Sequence, residues 1–301
     1  MQKQASVLSW FVAVAFLVPS ALQAAQATAL DTQRIEALTG LKGSLNADGS
    51  VFKVSFPRSD IRAKVGQVRM NPALGLTAWA AFTRMGDHAI VMGDIVVLEN
   101  EISPIMSAAL DSGLEVTALH NHFAWDEPKV MFMHIGGSGD EVQLANAVGK
   151  VFARLKALIR HPQAAPGARI DPAETSLDTH RIASVIGEEG SMGDGVFKIT
   201  IGRQIEMMGH RVGKDMGVNT WAAFAGTDRS AVVDGDFAVL EEELQDVLKT
   251  LRRGGIHVVA IHNHMTFEKP RMLFLHFWGL GSAEQLARTL RSALDTQGTN
   301  K

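Results

Sequence analysis

The chain has 301 residues, of which 46% are hydrophobic and 20% charged, a composition typical of a globular protein with one large domain or two modest ones. A net charge of −3, without any block of lysine and arginine, gives no electrostatic support to a nucleic-acid or anionic-membrane partner. The absence of cysteine excludes disulfides and thiolate ligands, so any metal site must use nitrogen and oxygen donors.

The N-terminal segment has the pattern of a secretory signal. Lys3 supplies a positive charge, and the apolar run Val7–Val18 is short for a membrane span. Small residues follow, and cleavage is predicted after Ala24, Ala25 or Ala27. We therefore expect a signal peptide at residues 1–27 and a periplasmic or secreted mature protein without stable membrane insertion. An uncleaved membrane anchor is the alternative.

Capping and β-forming residues predict short elements in the next part of the chain. A helix capped by Asp31 or Thr32 opens it. Four strand-like segments follow. They are Val51–Phe56, Lys64–Arg69, Thr77–Thr83 and Ala89–Leu98.

The pattern then changes to a helix, two strands and a second helix. A helix is predicted from Ile102 to Asp111, with Gly113 as its terminator. Strands are predicted at Val116–Phe123 and Val130–Ile135. The sequence Gly-Gly-Ser-Gly at 136–139 is predicted to turn the chain into the second helix. That helix has apolar residues at a helical period, namely Val148, Phe152, Leu155 and Ile159.

The second half of the chain repeats the first. Trp79-Ala80-Ala81-Phe82 returns as Trp221-Ala222-Ala223-Phe224, and from there the offset is a constant 142 residues. The predicted second helix returns with Leu286, Leu290 and Leu294. We expect a signal peptide, a repeat unit at 28–160, a linker at 161–176 and a second unit at 177–297. The predicted fold is α+β, with two similar units of mostly antiparallel sheet, helices on one face, and a pseudo-twofold relation.

Each unit contains one His-Asn-His tripeptide and, twelve residues after it, a third histidine. The six histidines are His120, His122 and His134 in the first unit and His262, His264 and His276 in the second. Alternate residues of a strand share a face, so both histidines of each tripeptide point the same way. A short antiparallel hairpin would bring the third histidine beside them.

Three imidazoles with an open position are a catalytic arrangement for zinc, which makes these triads candidate divalent-metal sites. Zinc is the first expectation, and copper, iron, nickel or manganese are alternatives. Two separate sites, or one shared site at the pseudo-twofold axis, both fit the sequence. The competing interpretation is a metal-free histidine network that holds the two copies together.

Repeated acidic residues are weaker candidates. Asp126 and Glu268 occupy equivalent positions after each tripeptide, where a carboxylate would serve as a general base, as a fourth ligand or as an ordinary turn residue. Asp94 and Asp236 each follow a glycine, a pattern that indicates a turn or bulge. Other repeated residues are expected in the core or at helix starts, or have no chemistry that the sequence identifies. They are Trp79, Trp221, Phe132, Phe274, Glu99, Glu241, Arg58 and Arg203.

The doubled pattern of His-Asn-His, then Pro-Lys or Pro-Arg, then Phe-x-His resembles the LppY/LpqO family of exported bacterial proteins. The likeness covers nearly the whole mature chain. That family is essentially uncharacterised, so the resemblance implies no reaction. Its namesakes are lipoproteins, whereas this chain lacks the lipid-accepting cysteine. The triad spacing alone is similar to that of acetolactate decarboxylase, which binds zinc; this is a chemical analogy and implies no substrate.

Three hypotheses follow for the function. The first is an exported metal-dependent enzyme that hydrolyses a small ester, lactone or amide, in which the metal lowers the pKa of a bound water to about 7. The second is a non-catalytic periplasmic carrier or sensor of copper or zinc, for which the nearby Met131, Met133 and Met265 are of interest. The third is a metal-free envelope module that binds a ligand or partner between its halves.

Overall fold

The computed structural model describes residues 29–298, so the predicted signal peptide lies outside the described residues. The first copy contains two kinds of strand, long ones in a large sheet and two-residue ones in a small sheet. Its elements are α1 (Thr32–Thr39), β1 (Gly43–Leu45), β2 (Val51–Pro57), β3 (Lys64–Val65), β4 (Val68–Arg69), β5 (Thr77–Met85), β6 (His88–Leu98), α2 (Ile102–Asp111), β7 (Glu115–Asn121), β8 (Asp126–Glu127), β9 (Val130–Gly139) and α3 (Glu141–Arg160).

The second copy repeats this order element by element. Its elements are α4 (Thr179–Ile186), β10 (Gly190–Gly193), β11 (Val196–Gly202), β12 (Ile205–Met207), β13 (His210–Val212), β14 (Asn219–Gly226), β15 (Ala231–Leu240), α5 (Leu244–Arg253), β16 (His257–His262), β17 (Glu268–Lys269), β18 (Met272–Gly281) and α6 (Ala283–Asp295). Single 3-10 turns lie at Pro72–Leu74, Glu99–Glu101, Pro172–Glu174, Lys214–Met216 and Glu241–Glu243.

The two copies share one twelve-stranded antiparallel sheet. Its order is β1-β2-β5-β6-β9-β7-β16-β18-β15-β14-β11-β10, in which the second six strands mirror the first six. At the seam, the junction of β7 and β16, Leu119 pairs with Ile261. These two residues are 142 positions apart, which is the repeat offset, so the pseudo-twofold axis passes through this pair. The predicted α+β duplication is confirmed.

The helices cover one face of the sheet, as predicted. α3 packs against β6 and β9, and α6 packs against β15 and β18, while α2 and α5 contact each other across the seam. Burying apolar side chains between the helices and this face forms the main core, which runs through both copies. The opposite face carries the histidines, and we call it the histidine face. None of the helices between residues 29 and 298 has the length and apolar character to cross a membrane.

A small three-stranded sheet accompanies each copy: β4-β3-β8 in the first and β13-β12-β17 in the second. In the second copy, Ile205 of this small sheet belongs to a separate buried cluster with Ala238, Leu240, Met272 and Phe274. Phe274 has the same strand parity as His276, so this cluster lies on the histidine face. In the second copy, the small sheet therefore covers one end of the histidine face, and the histidines lie beside the edge of that small sheet.

Two predicted boundaries were wrong. The glycine-rich segment 136–139 does not turn; it continues β9, where Gly137 pairs with Val91. A side chain at Gly137 would lie 3.0 Å from Leu144 Cδ2, so the glycine lets the helix approach the strand. The chain enters α3 at Asp140, which caps the helix with a carboxylate that accepts a hydrogen bond from the Gln143 N–H at 2.9 Å. Residues 64–69 form a tight hairpin around Gly66 rather than one strand.

The repeated arginines have a structural role in the core. Arg58 is fully buried and makes a two-pronged ion pair with Glu101, at 2.9 and 3.0 Å. The Glu101 carboxylate also accepts a hydrogen bond from the Leu98 N–H at 2.8 Å, which ties the end of β6 to the turn before α2. Arg203 and Glu243 repeat the pair in the second copy. Glu99 and Glu241 begin these turns, as predicted.

Candidate metal centres

The first histidine triad lies on the neighbouring strands β7 and β9, which form the predicted antiparallel pair. His120 is opposite Phe132, and His134 is opposite Ala118, so His120 and His134 are diagonal neighbours on one face. Their ring centroids are 5.1 Å apart, and His122 lies 5.2 Å from His120. Three imidazoles therefore gather at one point of the histidine face.

The second triad is arranged in the same way and more tightly. The His262 ring lies 5.0 Å from His264 and 4.6 Å from His276. The two Nε2 atoms of His262 and His264 are 3.1 Å apart. Two nitrogens bound to one tetrahedral zinc at about 2.0–2.1 Å would lie about 3.3 Å apart, so this pair is already close to ligand geometry.

A buried phenylalanine fixes the second histidine of each tripeptide. The His122 ring stacks on Phe132 with centroids 3.4 Å apart, and the His264 ring stacks on Phe274 at 3.5 Å. Both phenylalanines are almost completely buried, as predicted for core residues. Because each histidine ring is held against a phenylalanine ring, the phenylalanine orients a candidate ligand as well as filling the core.

Asp94 and Asp236 complete the centres, and the prediction that they mark turns or bulges was wrong. They lie within the long strands β6 and β15, opposite His134 and His276 respectively. The glycine before each one faces the helices. A side chain at Gly235 would overlap the Trp221 carbonyl oxygen and the Phe277 ring, so the Gly-Asp pattern combines close packing on one face with a carboxylate on the other.

These carboxylates are buried and incompletely paired. Asp94 is 8% exposed and Asp236 is 3% exposed. Asp236 Oδ2 lies 3.2 Å from His264 Nε2, whereas Oδ1 is 3.9 Å from His276 Nδ1, too far for a hydrogen bond. Within residues 29–298, five buried side-chain nitrogen or oxygen atoms lack a hydrogen-bond partner, and three belong to these centres: Asp94 Oδ1, Asp236 Oδ1 and His262 Nδ1. Buried polar atoms normally have partners, so this concentration indicates a missing one.

The donor atoms are grouped closely enough for one ion in the second copy. Ligand atoms of Asp236, His262 and His264 all lie within 4.8 Å of one another. His276 stacks on His262 with its ring half exposed, and its Nδ1 faces the Gly235 carbonyl oxygen at 3.4 Å. The second copy thus presents two histidines and one carboxylate, with His276 beside them.

Burial favours the neutral, metal-binding form of one histidine in each copy, His122 and His262. Burial lowers the pKa of His262; the Asp236 carboxylate opposes this effect, and His276 and His264 add to it. Burial likewise lowers the pKa of His122. In the first copy, burial raises the pKa of Asp94 despite the nearby histidines. A lowered histidine pKa leaves the ring neutral at pH 7, and the neutral ring is the form that binds metal ions.

Asp126 and Glu268, the predicted catalytic carboxylates, lie in the small sheets instead. Asp126 is buried and accepts hydrogen bonds from the Val130 N–H at 2.7 Å and from Lys129 Nζ at 3.0 Å. Glu268 accepts one from the Met272 N–H at 3.3 Å. Each carboxylate braces the turn that returns the chain from the histidine tripeptide to the next long strand. The carboxylates grouped with the histidines are Asp94 and Asp236.

Two of the three methionines singled out for copper lie on the sheet face opposite the histidines. Met133 is buried, and its alternation with His134 places it on the helix-covered face, which Met131 shares. Met265 packs against the apolar cluster beneath the small sheet of the second copy. Packing accounts for the positions of all three, and Met131 and Met133 give no thioether support to a copper site on the histidine face.

One protein family matches both copies. The family described as Domain of Unknown Function (DUF1259) matches residues 33–154 and again residues 180–296. Neither a curated protein nor a solved structure matches the chain. The two matches divide the chain as the sheet does, with one on each side of the seam. The chain therefore belongs to the DUF1259 family and carries its domain twice.

Proposed function

We propose that this protein is an exported metal-dependent enzyme that hydrolyses a small ester, lactone or amide, with one metal centre in each copy. Export rests on the signal-like pattern of residues 1–27. The resemblance to the LppY/LpqO family is part of the same proposal, since those proteins are also exported. The family match supplies no activity, so the reaction is argued from the donor set alone.

One observation carries the metal centre. In each copy a buried aspartate oxygen has no hydrogen-bond partner: Asp94 interacts electrostatically with the three histidines of its copy, and the ligand atoms of Asp236, His262 and His264 lie within 4.8 Å of one another. An unpaired, buried carboxylate oxygen costs free energy unless a cation or donor meets it. A divalent ion between Asp236, His262 and His264 would satisfy all three groups at once.

The proposed ligands have distinct tasks. His264 is oriented by its stack on Phe274. His262, whose Nε2 lies 3.1 Å from that of His264, would bind the same ion, and Asp236 would supply negative charge from a nearby strand. His276 is the proposed further ligand. A zinc ion held in this way would polarise a carbonyl group and activate water. In hydrolysis the water oxygen bonds to the carbonyl carbon, the acyl–oxygen or acyl–nitrogen bond breaks, and the leaving group takes a proton.

Zinc fits the donor set best among the metals considered, because imidazole nitrogen and carboxylate oxygen with an open position are its usual catalytic ligands. Copper, iron, nickel and manganese remain alternative occupants. Met131 and Met133 lie on the helix-covered face, so they do not support the alternative of a copper carrier. Two histidines and one carboxylate also bind Fe(II) in oxygenases, so the identity of the metal decides the reaction class.

The first test is elemental analysis of mature protein purified without chelators and without a histidine tag. We expect two equivalents of zinc per chain, one equivalent in His262→Ala/His264→Ala, and two in the control His210→Ala, which changes an exposed histidine of β13. Protein without stoichiometric metal would refute the centre.

The second test is hydrolysis of a panel of esters, lactones and amides before and after removal of the metal. We expect turnover that chelation abolishes and zinc restores. Bound zinc without turnover on any substrate would favour the carrier over the enzyme. Iron in place of zinc would contradict the hydrolase, because the same ligands would then point to oxygen chemistry.

A further inference from the structure

Each copy carries a lysine stacked on a tryptophan on the histidine face. Lys53 Nζ lies 4.0 Å from the centroid of the Trp79 ring, and Lys198 Nζ lies 4.4 Å from that of Trp221. Both tryptophans are only half-buried, although they were predicted to be core residues, and both lysines are exposed. We call each pair a Lys–Trp platform.

The strand register places each platform beside a metal centre. Trp79 is opposite Asp94, and Asp94 is opposite His134, so the three side chains form one row across β5, β6 and β9. Trp221, Asp236 and His276 form the equivalent row in the second copy. Neighbouring strands are about 4.8 Å apart, so each tryptophan backbone is about 10 Å from the histidine at the end of its row.

Neither ammonium group of the two platforms makes an ion pair, although Lys53 interacts electrostatically with Asp94, and Lys198 with Asp234, over a longer distance. Among residues 29–298, lysine ion pairs involve Lys42, Lys129 and Lys249, and no carboxylate lies within 4.0 Å of Lys53 or Lys198. A cation held over an aromatic face contributes about 0.5–1 kcal/mol at an exposed site. That contact holds the ammonium group in place, and the group can still form an ion pair with an anion.

The two platforms have persisted while their surroundings changed. On the outer neighbouring strand, which also carries the lysine, the residue opposite the tryptophan is Ser55 in the first copy and Thr200 in the second. The residue two positions before the aspartate is Met92 in one copy and Asp234 in the other. Lysine and tryptophan are unchanged in both. A pair that served only to stabilise the sheet would be as replaceable as these neighbours.

We propose that each Lys–Trp platform binds the carboxylate end of the substrate while the reactive carbonyl lies at the adjacent metal centre. This assignment rests on the proposed function and names its substrate class: a carboxylate-bearing ester, lactone or amide with a planar or apolar middle section. Lysine supplies a point charge for the carboxylate, and the tryptophan face contacts the middle section. The lysine strand lies beyond the tryptophan strand, whose backbone is already about 10 Å from the histidine, so a substrate that reaches both sites would carry its carboxylate and its reactive carbonyl at opposite ends.

The test is binding of 4-acetylbenzoate and of its neutral counterpart 4-acetylbenzamide to the zinc-loaded protein, measured by calorimetry. We expect the acid to bind at least tenfold more tightly than the amide. The double variant Lys53→Gln/Lys198→Gln should reduce that ratio to about one without changing the zinc content. The matched control is Lys156→Gln, which removes a lysine held 5.6 Å over the Phe56 ring on the helix-covered side. It should keep the full preference.

Each outcome bears on the assignment. A preference that survives in the double variant, or no preference in the wild type, overturns the platform. Tighter, lysine-dependent binding of 4-acetylphenyl phosphate would overturn the carboxylate in favour of a phosphate. Because binding and zinc content are measured without turnover, failure of the platform is distinguishable from failure of the hydrolase. If no zinc binds, the proposed function fails, and the same comparison on metal-free protein still tests the lysines.

Discussion

Replacing Asp236 by asparagine should remove about half of the thermal stabilisation that zinc gives this protein. A ligand that binds only the folded state at 100 times its dissociation constant stabilises it by about 2.7 kcal/mol. Two independent centres then contribute about 5 kcal/mol. For a chain of this size each kcal/mol raises the melting temperature by about 2–4 °C, so each centre contributes about 5–10 °C.

The assay is calorimetric melting of the mature, tag-free protein with and without zinc, after chelator treatment. Wild type should show the full shift. Asp236→Asn and Asp94→Asn should each show half, and the double variant should show none. The control is Glu268→Gln, which changes a buried carboxylate bonded within the neighbouring turn. Glu268→Gln should melt earlier than wild type and still show the full zinc shift.

The metal-free proteins provide a second comparison. Asp236→Asn should be as stable as wild type or more stable by on the order of 1 kcal/mol, because the substitution removes a buried charge whose Oδ1 has no hydrogen-bond partner. A purely structural aspartate would instead make the variant less stable. A full zinc shift in Asp236→Asn, or a lost shift in Glu268→Gln, would refute the assignment of the carboxylates.

Three further predictions concern the residues that support the centres. Glu243→Gln leaves the buried Arg203 without its counter-ion and should lower the free energy of unfolding by about 3–5 kcal/mol at neutral pH. Burial raises the pKa of Glu243, but hydrogen bonds from Arg203 and the Leu240 N–H outweigh it and lower the pKa. The pKa of Glu243 is thus lower in the folded than in the unfolded state. The wild type should therefore lose its advantage in unfolding free energy over the variant as the pH falls below the ordinary glutamate range. A difference in unfolding free energy that does not change with pH, measured by denaturant titration, would contradict the ion pair. Phe274→Leu and the helix-side Phe277→Leu should lose similar stability, about 1–3 kcal/mol, but only the former should weaken zinc binding in competition titrations. Gly235→Ala should lower the free energy of unfolding in urea by about 1–3 kcal/mol, because its side chain would overlap the Trp221 backbone. A variant as stable as the wild type would contradict this, since the sheet would then have adjusted to the added methyl group.

Much of the fold could be predicted from local sequence signals. The 142-residue offset identified the duplication, and strand alternation placed both histidines of each tripeptide on one face. The short turn before Val130 correctly predicted the antiparallel pairing of β7 and β9. These predictions succeeded because they depend on spacing within a few residues, which the chain specifies directly.

The aspartates were misread because their role depends on register between distant segments. A glycine followed by an aspartate is typical of turns, and nothing within β6 shows that His134 will lie opposite Asp94. One signal was available: the Gly-Asp dipeptide is repeated at the same offset as the histidines. The glycine-rich end of β9 was misread for a related reason, because its need for small residues arises from packing against a helix that follows it.

The Leu119–Ile261 pair joins two halves that a single-copy ancestor would have had to bring together as a homodimer. In such a dimer one gene encodes both candidate metal centres, and any mutation changes both of them. Fusion into one polypeptide removes that constraint, and the exchange of Met92 for Asp234 beside otherwise matching rows is a difference that only a fused chain can hold. Evolution was thereby free to give the two halves unequal affinities or rates within a single molecule.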